Sequence, residues 1–180
     1  IGSDPTTNSS YNSPEGNVAL GTNALVAITT AEYNTAVGYE TLTANTTGSY
    51  NTALGNDSLL NNTTGSQNTA SGNDSLHSNT TGSQNTASGH YSLFKNTTGS
   101  KNTASGALSL QSNITGCYNT ALGYQAGVEI TTGSNNVIIG YQADPSIAAA
   151  DNQIVIGKGA TGQGDNSVTL GNADVTAVYM

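Results

Sequence analysis

The stretch "NTTGSQNTASGNDSLHSNTTGSQNTASG", residues 62–89, runs through nearly the same order of residues twice. Its two "NTASG" motifs close at Gly72 and Gly89, 17 residues apart. The same closing glycine recurs along most of the chain, at steps of 17 residues and a last step of 14: Gly21, Gly38, Gly55, Gly72, Gly89, Gly106, Gly123, Gly140, Gly157 and Gly171. Self-similarity at a fixed period predicts a solenoid, in which each repeat stacks on the one before it.

The pattern within one turn indicates which kind of solenoid this is. Leucine stands four residues after the closing glycine in six turns, as at Leu59, and a second glycine stands ten residues after it, as at Gly65. Two glycines per turn leave no room for a pair of helices, and Gly, Asn, Ser and Thr are poor helix formers. The segments between corners are about five residues long, the size of a strand. The sequence therefore predicts an all-β fold, a parallel β-solenoid of about nine 17-residue turns and about 43 Å in length.

The alternation within "NTALG" predicts how the two faces of each strand are used. Thr52 and Leu54 fall on one face, and Asn51 and Ala53 fall on the other. We expect the Leu59 column and the Leu54 column to fill the roll, and we expect the alanine column to face outward, where small residues allow a partner chain to approach. A turn with so few aliphatic residues gains little from its own burial. This predicts a homo-oligomer, and a three-fold one suits a rod.

Composition and charge exclude several classes of function. Leu, Ile, Val and Phe make up 31 of 180 residues, too few for a conventional core. Lys and Arg number only three and the net charge is −8, which argues against nucleic-acid binding. A single cysteine, Cys117, excludes an intrachain disulfide. The sequence contains no run of 18 apolar residues of the kind that would indicate a membrane span. We divide the chain into a lead-in or cap at 1–16, a repeat domain at 17–173 and a run-out at 174–180 into a following domain.

Two segments carry a resemblance to known repeats. "NQIVIGKGATGQGDNSVTLGNA" at 152–173 resembles the head repeats of YadA-like trimeric autotransporter adhesins, and "NTALGYQAG" at 119–127 resembles the repeats of phage and virus tail-fibre-like proteins. The resemblance implies a left-handed parallel β-roll, homotrimeric, that serves surface attachment and carries no catalytic residues. The three extra residues in most turns favour a viral or phage fibre over a bacterial autotransporter. An extracellular location, on a virion fibre or a cell surface, follows from the same resemblance.

Candidate catalytic and metal-binding residues are few. His77 and His90 stand at different positions of the repeat, no "GxSxG" motif occurs, and Cys117 stands in a column of serines, so we expect no enzyme activity and no cofactor. Asp57 and Asp74 stack with Glu40 one turn earlier. Stacked carboxylates could hold Ca²⁺, whereas an Asp at a corner also bonds its own backbone. Because the repeats lack the "GGxGxD" form of calcium-binding rolls, we expect no metal site.

The variable columns are where a receptor surface could be presented on a uniform rod. Tyrosine offers an apolar face and a polar tip, which suits a host glycan or a protein receptor. The alternative is that these positions are solvated spacers. The candidate binding residues in these columns are Tyr33, Tyr50, Lys101, Tyr118, Tyr39, His90, Tyr124 and Tyr141.

A second function is consistent with the same fold. Thr-Thr pairs from Thr46-Thr47 to Thr97-Thr98 make regular rungs that could order water, as in an ice-binding solenoid. Adjacent residues of a strand point to opposite faces, which weakens this hypothesis. The sequence therefore favours a non-enzymatic, homotrimeric attachment module, with ice binding as the alternative.

Overall fold

The structure is a computed structural model that describes residues 16–175, so most of the expected lead-in and run-out lies outside the described residues. Its strands form one parallel sheet in chain order. Each strand has three residues: β1 Val18–Leu20, β2 Thr35–Val37, β3 Thr52–Leu54, β4 Thr69–Ser71, β5 Thr86–Ser88, β6 Thr103–Ser105, β7 Thr120–Leu122, β8 Val137–Ile139, β9 Ile154–Ile156 and β10 Val168–Leu170. The predicted β-solenoid of about nine turns is confirmed.

The stacking follows the sequence repeat residue for residue. Thr52 pairs with Thr69 and Ala53 pairs with Ala70, so equivalent positions of successive turns lie side by side. The backbone bonds between turns continue beyond the strands, since the Thr46 amide donates to the Thr63 carbonyl at 3.0 Å. Nearly the whole contour of a turn is therefore hydrogen-bonded to the next one, which gives the rod its stiffness.

The strands are shorter than the expected five residues because left-handed bends interrupt each turn. Asp57 and Leu59 have φ values of 54° and 52°, and Gln67 has a φ of 60°. Left-handed backbone is unfavourable for residues other than Gly, Asn and Asp. Its repetition at the same places of successive turns shows that the stack imposes it. The leucine column lies at one of these bends and is directed inward.

The interior of the roll corrects the expected assignment of faces. Ala53 and Leu59 are both fully buried within the chain's own roll, whereas Leu54 is 40% exposed. The alanine column therefore does not face a partner, and the column of Val37, Leu54, Leu122 and Ile139 lies on the outside. The physical reason is that Asn51 shares a face with Ala53, and the Asn51 side chain is required inside.

That requirement comes from an interior ladder of amide side chains. The Asn51 amide nitrogen Nδ2 donates to the Gly65 carbonyl at 2.9 Å, and the Asn51 oxygen Oδ1 accepts from the Asn68 backbone N–H at 3.0 Å. This ladder satisfies backbone groups that the bends leave without strand partners. Its members are all buried: Asn34, Asn51, Asn68, Asn85, Asn102, Asn119, Asn136 and Gln153.

A second buried ladder runs from Asn45 to Asn113, and it ends where the repeat changes. Asn113 Nδ2 donates to Asn96 Oδ1 at 2.8 Å, but Asn113 Oδ1 has no hydrogen-bond partner, since Ile130 stands at the next rung. In the same turn Gly127, with a φ of 66°, stands in the column that holds Leu110 one turn earlier. The Ile130 side chain thus fills part of the space that a leucine would occupy.

This exchange predicts strong coupling between Gly127 and Ile130. A Cβ at Gly127 would lie 3.4 Å from Ile130 Cδ1 and 3.0 Å from Leu110 Cδ2, so Gly127→Leu alone overpacks the interior. Ile130→Asn alone leaves a void beside Gly127. We expect each single variant to lower the free energy of unfolding by about 1–3 kcal/mol.

The double variant restores the regular leucine and asparagine pair, gives Asn113 Oδ1 a donor, and should recover most of that loss. Thermal unfolding of all four proteins measures the coupling, and simple additivity would contradict this packing.

Candidate functional site

The outward strand face is formed by the first and third residues of strands β1–β10. In β3 these residues are Thr52 and Leu54, which flank the buried Ala53. The first positions of six successive strands form a rank of threonines: Thr35, Thr52, Thr69, Thr86, Thr103 and Thr120. Parallel strands lie about 4.8 Å apart, so this rank is straight and evenly spaced.

The outward strand face has three sections of different polarity. The strands β1–β3 present aliphatic third residues, the strands β4–β6 present serine, and the strands β7–β10 are aliphatic again. Leu20 is 61% exposed, Leu122 is 50% exposed and Val168 is 62% exposed. Exposed apolar surface that is continuous over several strands marks an interaction site.

The predicted tyrosine columns border this face on both sides. Tyr50 lies two residues before β3, and Tyr39 lies two residues after β2. The rings stack along the rod, with centroids 5.1 Å apart for Tyr33 and Tyr50 and 5.6 Å apart for Tyr124 and Tyr141. All of these tyrosines are exposed. Tyrosine borders the aliphatic strands β2, β3, β7 and β8, whereas the serine strands β4–β6 are preceded by Gln67, Gln84 and Lys101.

Lys101 and Tyr118 form a pair on the same border. The Lys101 Nζ donates to the Tyr118 hydroxyl at 3.0 Å and lies 4.8 Å from the centroid of its ring. The hydrogen bond to Tyr118 is the main cause that raises the pKa of Lys101. This pair joins the serine section to the aliphatic section that follows it.

His90 belongs to a cluster of rings from different positions of the repeat, which the sequence columns do not reveal. Its ring lies 4.2 Å from the Tyr91 ring, the Tyr91 ring lies 4.7 Å from that of Phe94, and the Phe94 ring stacks at 4.9 Å on His77. We call these four residues the ring cluster. The members stand at three different positions of the repeat, and only the bend after each glycine brings them together.

The column of Glu40, Asp57 and Asp74 lies at a bend of the backbone. The Asp57 backbone N–H donates to the Tyr39 carbonyl at 3.0 Å, and Asp57 has a φ of 54°. Burial, followed by the charges of Asp74 and Glu40, raises the pKa of Asp57. Over residues 16–175 no group of three or more His, Cys, Asp or Glu side chains is arranged to hold a metal ion.

The Thr-Thr pairs and Cys117 have roles in stacking. The hydroxyls of Thr63 and Thr80 each donate to a carbonyl of the next turn, at 3.0 Å. These first threonines are half-buried, whereas the second threonine of each pair is exposed. The Cys117 Sγ accepts from the Ser100 backbone N–H at 3.3 Å, and Ser134 Oγ makes the equivalent contact with the Cys117 N–H. Cys117 thus takes the place of a serine in a ladder.

Asp144 is a partly buried carboxyl whose protonation is linked to stability. It lies four residues after Gly140, where earlier turns have leucine, and its Oδ1 accepts from the Glu129 backbone N–H at 3.1 Å. Burial is the main cause that raises its pKa to about 6, and the Glu129 charge adds to it. Since the folded chain binds this proton more tightly than the unfolded chain, stability is lost as the pH rises from about 4 to about 6.

We therefore expect Asp144→Asn to stabilise the protein at pH 7.5 and to change little at pH 4. The asparagine Oδ1 still accepts from Glu129, while the charge is removed. The gain should be about 1 kcal/mol, well below the full linkage value because solvent reaches the carboxyl. Thermal unfolding at the two pH values measures it, with Asp174→Asn on the surface as the control. An equal gain at both pH values would show that the charge of Asp144 is not the cause.

Comparison with protein-family models, with curated proteins and with solved structures finds no match for this chain. Between residues 16 and 175 the structure contains no helix that could cross a membrane.

Proposed function

We propose that this chain is a non-enzymatic structural and attachment module, a homotrimer of left-handed β-rolls in an extracellular virus or phage fibre or a trimeric surface adhesin. The observation that carries the proposal is the outward strand face, with its exposed aliphatic sections. The rod spaces and presents an attachment surface, and the hydrogen bonding between turns makes it stiff. A host glycan or protein receptor is the partner, and the exposed tyrosine columns are the surface offered to it.

Charge supports contact between copies through this face. The chain has a net charge of −8, so three copies repel one another wherever their carboxylates meet. The outward strand face takes two residues from each of ten strands, and none of them is charged. Identical chains can therefore approach through this face without bringing like charges of the face together.

The three sections of the face support a parallel arrangement in register. Three-fold symmetry with parallel rods places equivalent turns of the copies together, so aliphatic strands meet aliphatic strands and serines meet serines. The bordering tyrosines, such as Tyr50 and Tyr124, then flank the contact at its solvent-exposed rim and stay accessible to a receptor. Burial of Leu54, Leu122 and Ile156 supplies the apolar contact that each roll alone leaves exposed.

A charge placed on the outward strand face tests the assembly. Leu122→Lys should lower the mass in sedimentation velocity to that of one chain, since it buries three lysines at one level of the trimer. Ile147→Lys is the matched control, because Ile147 is 58% exposed and lies outside the strands. Circular dichroism checks that both variants keep their β structure. A folded Leu122→Lys protein with the mass of the wild type would contradict assembly through this face.

Ice binding is the second candidate, and the outward strand face suits it better than the Thr-Thr pairs do. The Thr-Thr pairs offer one free hydroxyl per turn, whereas the outward strand face offers the threonine rank, with serines beside it in β4–β6. This function needs the face open to water and therefore a chain that stays single. Thermal hysteresis of the wild type, compared with Thr86→Lys in the middle of the rank, tests it. Hysteresis that the variant abolishes would favour ice binding, and no hysteresis would exclude it.

A further inference from the structure

The ring cluster gathers residue types that are otherwise rare in this chain. Both histidines and the single phenylalanine of the sequence belong to it. His77 and Phe94 stack with an interplanar angle of 29°, while His90 meets Tyr91 edge-on at 84°. His90 is exposed, and the other three rings are half-buried. A ledge of four rings, two of them imidazoles, therefore lies at the surface of two adjacent turns.

The fold does not require these rings. The interior beneath them is filled by buried Leu76, Ala87 and Leu93, as in every regular turn. The same positions of neighbouring turns hold other residue types, Leu60 and Gln111 in line with Phe94 and Asp74 and Leu108 in line with Tyr91, and the roll is unchanged there. The rings are thus additions to the surface of a stack that closes without them.

Polar groups stand at the rim of the ledge. The Asp74 carboxylate lies 4.0 Å from His77 Nε2 and accepts from the Asn73 side-chain amide at 2.8 Å. The Asn61 amide lies 3.5 Å from His77 Nδ1, and the Ser78 hydroxyl lies 3.4 Å from the same atom. The ledge therefore combines ring surface with a carboxylate acceptor, amides and a hydroxyl, all partly open to solvent.

We propose that the ring cluster, with Asp74 and Asn61 at its rim, binds a neutral pyranose sugar. A pyranose has an apolar face of C–H groups that packs on aromatic rings and an edge of hydroxyls that bonds carboxylates and amides. The carboxylates of Asp57 and Asp74, on a chain of net charge −8, disfavour an acidic sugar even though Lys95 follows the cluster. This inference rests on the proposed attachment function and names the receptor class for it.

Three copies of the site on one rod would act together. A single sugar on a shallow ledge binds weakly, and a trimer that offers three ledges gains avidity for a surface that carries many copies of the sugar. His90 belongs to the column of Tyr39 and Tyr124 that borders the outward strand face. The other three rings lie farther along the bends, so contact through that face does not use Tyr91, Phe94 or His77.

The test uses the whole chain and the residues that the repeat itself provides. Saturation-transfer NMR measures binding of the methyl pyranosides of glucose, galactose, mannose and N-acetylglucosamine, with methyl sialoside as the acidic probe. Phe94→Gln and Tyr91→Gln copy Gln111 and Gln125 of later turns, so both variants should fold. We expect at least one neutral sugar to bind, and each variant to weaken it about tenfold or more. Ile147→Gln, at an exposed apolar residue outside both the cluster and the tyrosine columns, should bind like the wild type.

The outcomes separate this inference from the proposed assembly. Trimeric wild-type protein that binds none of the neutral sugars would overturn the sugar site and leave the assembly standing. Equal binding by Phe94→Gln and wild type would place the sugar elsewhere and also overturn the site. Preference for the sialoside would contradict the charge argument and with it the neutral class.

Discussion

Replacing Asn85 with leucine is expected to lower the free energy of unfolding by about 3–5 kcal/mol, a large effect for a change to a larger apolar residue. Asn85 is 1% exposed. Its Oδ1 accepts from the Asn102 backbone N–H at 3.0 Å, and its Nδ2 donates to the Gly99 carbonyl at 2.9 Å and to Asn68 Oδ1 at 3.2 Å. Leucine leaves the Asn102 N–H buried without an acceptor, at about 1–3 kcal/mol. It also removes one of two donors from the Gly99 carbonyl and from Asn68 Oδ1, which keep the Asn96 amide and the backbone N–H of residue 85, at about 0.5–1.5 kcal/mol each.

The matched control for Asn85→Leu is Asn73→Leu on the surface. Asn73 is exposed, and its amide bonds to groups that water also reaches. We expect the melting temperature of the interior variant to fall by about 10 °C or more, and that of the surface variant to move by less than about 2 °C. Equal melting temperatures of the two variants would contradict the claim that the amide ladder stabilises the roll.

Replacing the closing Gly89 with alanine is expected to lower the free energy of unfolding by more than about 4 kcal/mol. Gly89 has a φ of 136°, a conformation that residues with a side chain rarely adopt. A Cβ on it would lie 2.7 Å from the backbone carbon and oxygen of Gly106 in the next turn. Because backbone and not a flexible side chain is in the way, the two turns must separate and their hydrogen bonds must lengthen.

Gly159→Ala is the control that separates the cost of left-handed backbone from the clash of a Cβ with the next turn. Gly159 has a φ of 60°, and a Cβ there has no neighbour within 4 Å. Its cost should be limited to the left-handed conformation, about 1–2 kcal/mol. Thermal unfolding followed by circular dichroism compares the two variants at one protein concentration, since assembly makes stability concentration-dependent. A Gly89→Ala protein no less stable than Gly159→Ala would contradict the tight stacking of the closing glycines.

The repeat predicted the stack because equivalent residues must meet in every turn. The 17-residue spacing of the closing glycines became the pairing of Ala53 with Ala70, with no change of register. The same reasoning could not say which side of a three-residue strand is inside, since alternation has two equivalent solutions. Treating leucine as the better interior residue chose the wrong solution at Leu54. Asparagine decides the question, because the stack supplies the Asn51 side chain with partners in the next turn, the Gly65 carbonyl and the Asn68 backbone N–H.

The sequence predicted one part of the candidate site, the tyrosine columns, because a regular repeat shows which positions vary from turn to turn. The tyrosine columns stand at positions that change from turn to turn, and the structure exposes them beside the outward strand face. The ring cluster crosses columns, with His90, Tyr91 and Phe94 at three positions of one turn. Its contacts depend on left-handed bends at Tyr91 and Leu93, with φ values of 56° and 50°, and residue-by-residue propensities disfavour that backbone.

The most direct test of the central claim is the molar mass of the wild-type chain in solution, measured by light scattering. The chain has a mass of 18.1 kDa, so assembly of three copies through the outward strand face predicts about 54 kDa, three times that value. The value should hold across a range of protein concentrations. A mass of one chain, in a protein that circular dichroism shows to be folded, would contradict the account, since the aliphatic residues of that face would then remain in water.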